Sequence, residues 1–438
     1  MKVEVSIGEI IDKLSILELK LKKISDESKQ IEIKKEINCL IECQEYKSKY
    51  DLFYNMLMYV NEKIWDWTDI IKSITFNDCN FAFISNKIFE FNQKRFRIKN
   101  WFNLLTNSNI KEQKSYLSCC CTIIVENEEI FFNKLSEINY LSLEYDIITF
   151  ESPIISIIQD FLKIPTIIYD EEIKKTFKEN KIINLTNFII PDDENKDIFS
   201  LKPIKYIIGG LFGDFIQCLS IINEKFYESG RKGIVYISTK GEFFRNGLEN
   251  TYNDTYPVLI KQNYIHDFKI YNNEQYDIDL TIWRNSSDLL KKNWYDLFKQ
   301  IYNIEWGKRK WLNVPITNEW KDKIVINTTI FRWSYDIDFK LLYELYSDNL
   351  FFISSDKTLY EFFKTKTNIN INYYESKSFL ELAIIINSCK FFVGSLSAPL
   401  SIAHALHKER IVGIAENCVD NIMVSNLNLI FTNLRYSI

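Results

Sequence analysis

The 438-residue sequence predicts an α/β protein with an all-α N-terminal domain and, behind it, two lobes that each carry a parallel sheet. Three observations lead there. Apolar residues recur at helical spacing through the first 118 residues. Near residue 119 the pattern changes to short β-branched runs separated by amphipathic segments, the mark of β-α-β units. From about residue 203 that alternation restarts, and near 323 it restarts again. The expected division is 1–118 helical, 119–200 a small α/β segment, 201–320 a first lobe and 321–438 a second, joined near 315–322.

The composition supports a large core and excludes several classes. Hydrophobic residues make up 46% and charged residues 26%, both ordinary for globular chains. The net charge of −5 gives no basic face for a nucleic acid, so none is expected as a partner. Lys308-Arg309-Lys310 reads as a solvated face. The opening MKVEVSIGEIIDKL is charged and amphipathic, unlike a signal peptide, and no apolar run is long enough to span a bilayer. A cytoplasmic location, free or peripheral at the inner face of a membrane, follows as an expectation. Nine cysteines then read as reduced thiols. Cys119-Cys120-Cys121 lacks zinc-site spacing and reads as small residues entering a strand.

In the first domain, Ile10, Leu14, Leu17, Leu21 and Ile24 form one apolar stripe. Ser6 is the expected N-cap, with Glu9 completing a capping box. Ile33, Ile37 and Leu40 mark a second helix, and a hairpin of long helices is the simplest arrangement. The pieces VSIGEIIDKLSILELKLKKI, YVNEKIWDW and the run from FEFNQKRFRIKN to KEQKSY resemble a small bacterial domain family of unknown function. That resemblance implies no chemistry. The charged residues of these pieces are expected on a solvated helix surface, and the domain is expected to serve self-association or partner binding.

Thr122 to Val125, Ile147 to Phe150 and Thr166 to Tyr169 are the three strands expected in 119–200, with a polar linker at 191–197. Next comes a strand at Tyr206 to Ile208, then Gly209-Gly210-Leu211-Phe212-Gly213-Asp214, then a helix to about Glu228. Glycines at such a turn let the backbone approach a ligand, and the helix end offers unpaired N–H groups. Asp214 has two readings: an N-cap, or a carboxylate that accepts a proton from an attacking hydroxyl. Gly233 to Ser238 is the next strand, and 241–320 reads as loop-rich and aromatic.

The second lobe opens at Lys323 to Asn327, with Leu350 to Ile353 a further strand. Near its end, Lys390 to Val393 is a strand, Gly394-Ser395-Leu396-Ser397-Ala398-Pro399 a turn, and Leu400 to Leu406 a helix, before a last strand at Arg410 to Ile414. Pro399 suits a first helical turn. The segment either binds a phosphate at the helix end or is simply a capped helix in a parallel sheet.

In this order and spacing, residues 203–435 resemble the ADP-heptose:lipopolysaccharide heptosyltransferases, inverting enzymes of GT-B type with twin Rossmann-like lobes. GGLFGDFIQCLSII matches their first-lobe turn, and the resemblance implies that Asp214 is a general base. FFVGSLSAPLSIAHAL, preceded by SFLELAIIINSC, matches their donor segment. It implies donor contacts from Gly394, Ser395, Ser397, Ala398 and Pro399. This chain has Leu396 where the family has aspartate and Ala398 where it has glycine. The family histidine falls at Ser401, with His404 one turn further on. The resemblance also implies that Thr328, Thr329 and Arg332, in the loop after Asn327, reach the donor diphosphate. An arginine there is a fixed cation for a leaving nucleotide, although an exposed loop arginine is an equal reading. Ser354 and Lys357 occupy a similar strand-end loop.

Lys240, Arg245, Trp283 and Arg284 lie in the variable part of the first lobe, where an acceptor would bind. His266, His404 and His407 show no metal spacing, so no metal site is expected. Asp277-Ile278-Asp279 reads as a face of an exposed strand. The expected function is transfer of a sugar from a nucleotide-sugar donor, a substrate rather than a cofactor, to a glycan or lipid-linked saccharide. A non-catalytic nucleotide-sugar or glycan binder, or a scaffold, is the alternative.

Overall fold

The computed structural model describes residues 4–110, 119–169, 180–192, 194–241, 244–287, 294–305, 309–333 and 337–413. The chain forms two compact units, Met1–Leu201 and Lys202–Ile438. The architecture is mixed α/β, with parallel sheets and an all-helical N-terminal region.

The first unit begins with five helices: α1 (Ile7–Lys23), α2 (Glu27–Asn38), α3 (Gln44–Lys49), α4 (Asp51–Ser73) and α5 (Phe81–Leu105). The Ser6 hydroxyl accepts from the Glu9 N–H at 3.2 Å, the expected cap. Leu14 and Leu17 of the stripe are buried, joined by Ile11 and Leu19. The same face also buries Asp12, only 2% exposed, and Ser15. Arg95 of α5 donates to Asp12 through Nε at 2.8 Å and Nη2 at 2.5 Å. Asn61 of α4 donates to Asp12 at 3.0 Å and to Ser15 at 2.8 Å. Buried Lys99 pairs with Glu9. The charges expected on a solvated surface are therefore turned inward at these positions. The physical reason is that each has a partner, without which burial would be costly.

The unit continues with β1 (Cys120–Ile124), α6 (Glu128–Asn133), α7 (Leu135–Glu144), β2 (Ile147–Glu151), α8 (Ile155–Phe161) and β3 (Asn180–Asn184). The parallel sheet has the order β2-β1-β3. Thr166 to Tyr169, expected as the third strand, makes only a single bridge, Ile148 to Ile167. The bridge consists of two bonds, from the Ile148 N–H to the Thr166 carbonyl at 2.9 Å and from the Ile168 N–H to the Ile148 carbonyl at 2.8 Å, and no ladder extends from it among the described residues. Cys120 and Cys121 are buried in β1 as expected, while Cys119 is exposed. Burial pushes the Cys121 thiol up to about 12.

This α/β segment packs on the helices of its own unit. Buried Arg97 pairs with Asp146 and donates to the Leu143 carbonyl at 2.7 Å, and Lys94 pairs with Glu144. The Tyr59 ring meets Phe199 edge-on at 5.9 Å. Segments 1–118 and 119–200 thus belong to one compact unit.

The second unit holds two parallel sheets. The first contains β4 (Ile204–Ile208), α9 (Phe212–Ser229), β5 (Gly233–Ile237), α10 (Leu248–Leu259), β6 (Ile265–Ile270), β7 (Ile278–Asp279) and α11 (Trp294–Tyr302), with strand order β6-β5-β4-β7. The stretch read as loop-rich therefore supplies two strands and two helices. The second sheet contains β8 (Ile324–Asn327), α12 (Phe339–Tyr346), β9 (Leu350–Ile353), α13 (Lys357–Thr367), β10 (Asn372–Tyr374), α14 (Phe379–Ser388), β11 (Phe391–Ser395), α15 (Ala398–Ala405) and β12 (Arg410–Gly413). Its order is β10-β9-β8-β11-β12. One core cluster gathers Ile324, Ile326, Phe352, Phe363 and Val393 under α12 and α13.

Helix α9 of the first sheet packs along α15 of the second. Buried Trp311 ties them, donating from Nε1 to the Ile216 carbonyl at 2.9 Å and from its backbone N–H to the Ala405 carbonyl at 3.1 Å.

Candidate functional site

The β4–α9 turn is built by close packing. Gly210 has φ +112°, a conformation that side chains rarely adopt. A Cβ there would fall on the Arg284 guanidinium. Gly209 lies against the Lys240 carbonyl. The N-cap of α9 is Leu211, without a side-chain cap, and Asp214 is the third helical residue. The capping reading of Asp214 is thereby corrected: the turn places the carboxylate within the first turn of the helix, half-buried. There it pairs with Arg284. An acidic group in the first turn also complements the helix dipole.

At Gly213 the two sheets' helices meet. A Cβ on Gly213 would lie 3.2 Å from the Ser401 hydroxyl and 3.5 Å from the Ala398 Cα. The N-terminal turns of α9 and α15 therefore abut. Ser397 is the N-cap of α15, but its hydroxyl makes no capping bond and instead donates to the Ser395 carbonyl at 3.0 Å. Such an end offers backbone donors to an anion.

The loop after β8 is drawn to the same turn. The Thr329 N–H donates to the Ser395 hydroxyl at 3.2 Å, and Arg332 Nη1 donates to the Leu396 carbonyl at 3.0 Å. Thr328 is 3% exposed, and the hydroxyls of Thr328 and Thr329 are buried with no partner among the described residues. Thr328, Thr329, Arg332, Gly394, Ser395, Ser397, Ala398 and Pro399 thus share one region of the structure. A Cβ on Gly394 would lie 2.6 Å from the Asn327 carbonyl, so only glycine lets β11 approach β8 this closely.

Ser354 and Lys357 are committed differently. The Ser354 hydroxyl accepts from the Asp356 N–H at 3.0 Å, and its carbonyl accepts from Tyr373, so it shapes the turn into α13. Lys357 is exposed at the start of α13. No bond joins either residue to Arg332 or Ser397 among the described residues.

His404 lies away from the α15 N-terminus. It is buried against α9, with Nδ1 3.2 Å from Gln217 Nε2 and its ring 5.1 Å from Trp311. Burial first, then the nearby Arg410, push it well below the ordinary histidine value. Ser401 and Leu396 are also buried.

A second ion pair lies at the end of β7. Lys240 Nζ is 2.5 Å from Asp279 and 2.8 Å from the Tyr276 hydroxyl. Burial pushes the Asp279 carboxyl up, but bonds from Lys240 and Thr281 outweigh it and the net shift is downward. Bonding to Asp279 and Tyr276 raises Lys240 to about 12. With 14% of its side chain exposed, Asp279 is no exposed strand face as expected, because Lys240 covers it. Arg245 is exposed and Trp283 buried. Sequence reasoning placed Arg284 on the acceptor side and missed its pairing with Asp214. The two lie 70 residues apart, and nothing local in the sequence joins them. Among the described residues no group of three or more His, Cys, Asp or Glu could hold a metal ion. No described helix is long and apolar enough to cross a membrane.

A profile for a family of unknown function (DUF6165) matches residues 1–131, running past the helices through β1 into α6. No curated protein matches the chain. Among solved structures, the chain is similar to the dodecameric iron-containing heptosyltransferase TibC, solved with ADP-D-β-D-heptose. That match has 12% identity and a TM-score of 0.35, and covers 48% of this chain and 60% of that one. The chain therefore spans about 60% of TibC's length. It is also similar to the glycosyl transferase family 9 protein of Veillonella parvula DSM 2008, with 10% identity and a TM-score of 0.22, over 68% of this chain and 83% of that one. Both neighbours are glycosyltransferases by their own descriptions.

Proposed function

We propose that residues 202–438 transfer a sugar from a nucleotide diphosphate to a hydroxyl of a glycan or lipid-linked saccharide, with inversion and without a metal ion. The observation that supports this reading is the meeting of two helix N-termini at Gly213, one carrying Asp214 in its first turn and the other, that of α15, without a bond from its N-cap side chain. A carboxylate that can accept a proton, on a helix whose first turn abuts a helix end able to offer backbone donors, suits this reaction. The donor diphosphate would lie at the α15 end, with Arg332, Thr328 and Thr329 as further donors. The acceptor oxygen forms a bond to the anomeric carbon as the bond from that carbon to the diphosphate oxygen breaks. The acceptor proton passes to Asp214, and the diphosphate leaves with the bonding pair, stabilised by the fixed dipoles and Arg332.

A second reading is nucleotide-sugar binding without turnover. It is favoured by buried Leu396 and Ser401, where the heptosyltransferase pattern has aspartate and histidine.

Thermal shift with ADP-, GDP- and UDP-sugars, followed by release of nucleoside diphosphate, separates the two. A bound donor raises the melting temperature. Under the enzymatic reading, Asp214→Asn keeps that rise and loses release by about 100-fold or more, while Arg332→Ala weakens the rise. Full release by Asp214→Asn removes the base assignment. Binding without release in the parent chain favours the second reading.

A further inference from the structure

We propose that Arg284 is a positioning residue for Asp214, a clamped cation that fixes the orientation and charge of the carboxylate. The proposal deepens the reading above and rests on it. Arg284 comes from the short turn after β7, 70 residues from its partner in the chain. Its guanidinium lies over the Trp283 ring, 4.6 Å from the centroid, and Trp283 is buried.

Two loops are shaped around this one side chain. Gly210, after β4, has φ +112°, and a Cβ there would fall on the guanidinium. Gly241, after β5, has φ +84°, and a Cβ there would lie 3.3 Å from Arg284 Cδ. A guanidinium held by an aromatic face and two loops loses little further freedom when it binds a carboxylate. The neighbouring carboxylate, Asp279, has Lys240 as its own cation, so Arg284 is matched to Asp214. Arg284 Nε is buried with no partner among the described residues.

The chemical consequence is specific. A cation in contact favours the ionised carboxylate, the form a base must have, and limits the positions its oxygens can take. A side chain that only filled space would do neither.

The test uses the full chain labelled with carbon-13 at the aspartate carboxyl carbons, with the Asp214 signal assigned by its loss in Asp214→Asn. Arg284→Met should raise the titration midpoint of Asp214 by about 1 to 3 pH units, and Arg284→Lys should hold it near the parent value. An unchanged midpoint in Arg284→Met overturns the proposal, and this measurement needs no turnover. Hydrolysis of ADP-glucose, GDP-mannose and UDP-glucose supplies the second arm. The rising acid limb of the rate should move with the midpoint in Arg284→Met and return in Arg284→Lys. A limb that stays in place while the midpoint moves overturns the positioning role. Full hydrolysis by Asp214→Asn alongside a shifted midpoint instead removes the base reading, so the two failures are distinct.

Discussion

His404 is an ionisable group stored in its neutral form where α9 meets α15. Burial, then Arg410, hold its pKa well below 6.5. His407 next to it is lowered to about 4, by burial first and then by the charges of Arg410 and Lys310. Above the unfolded value both states carry neutral rings and nothing is lost. Below it the unfolded chain binds protons that the native chain refuses, so stability falls with pH. The melting temperature should therefore be flat above about pH 7 and drop as pH falls from about 6.5 toward 4. His404→Asn keeps a hydrogen-bonding group beside Gln217 but cannot ionise, so it should flatten much of that slope at some cost in stability. A slope unchanged in His404→Asn would place the titrating group elsewhere.

The three long helices α1, α4 and α5 are joined by one buried polar knot of Asp12, Ser15, Asn61 and Arg95. Removing Asp12 takes the carboxylate from Arg95 and one acceptor from Asn61 in a buried place, which costs more than the set is worth as a whole. Asp12→Ala should destabilise the chain by about 3 kcal/mol, read from the urea midpoint, with Asp12→Asn milder. A cost under about 0.5 kcal/mol, typical of an exposed site, would mean the knot is solvated. Helical spacing showed where α1 lies, but not that its polar residues face inward. Charged side chains are usually exposed, and a partner 83 residues away leaves no trace in a local period. The same limit hid Arg284 from Asp214. The β4 and β11 turns were legible because glycines mark them. The strand at Asn180–Asn184 was not, since only Ile182 and Ile183 of NKIIN are apolar. Thr166 to Tyr169 was misread because a β-branched run fits a strand edge whether or not a ladder forms on it.

On the scale of the molecule, residues on both sides of 118 share one compact unit that ends at 201. Two compact units meet in sequence there, each with its own buried core. Within the first, Arg97 and Lys94 of α5 are buried against Asp146 and Glu144, and Tyr59 of α4 packs on Phe199. A fragment ending at 118 strips those partners away and exposes the apolar and cationic surface they cover. Residues 1–201 alone should thus melt in one cooperative transition with native helical content. Residues 1–118 should melt lower and more broadly, with exposed apolar surface detectable by dye binding. Sedimentation of the 1–201 fragment is then the sound test of self-association through the N-terminal helices, because a dimer seen only with 1–118 would be pairing through a face that its own α/β segment covers. Equal melting of the two fragments would mean that the helices form a core without β1 to β3, and would return the domain boundary to 118.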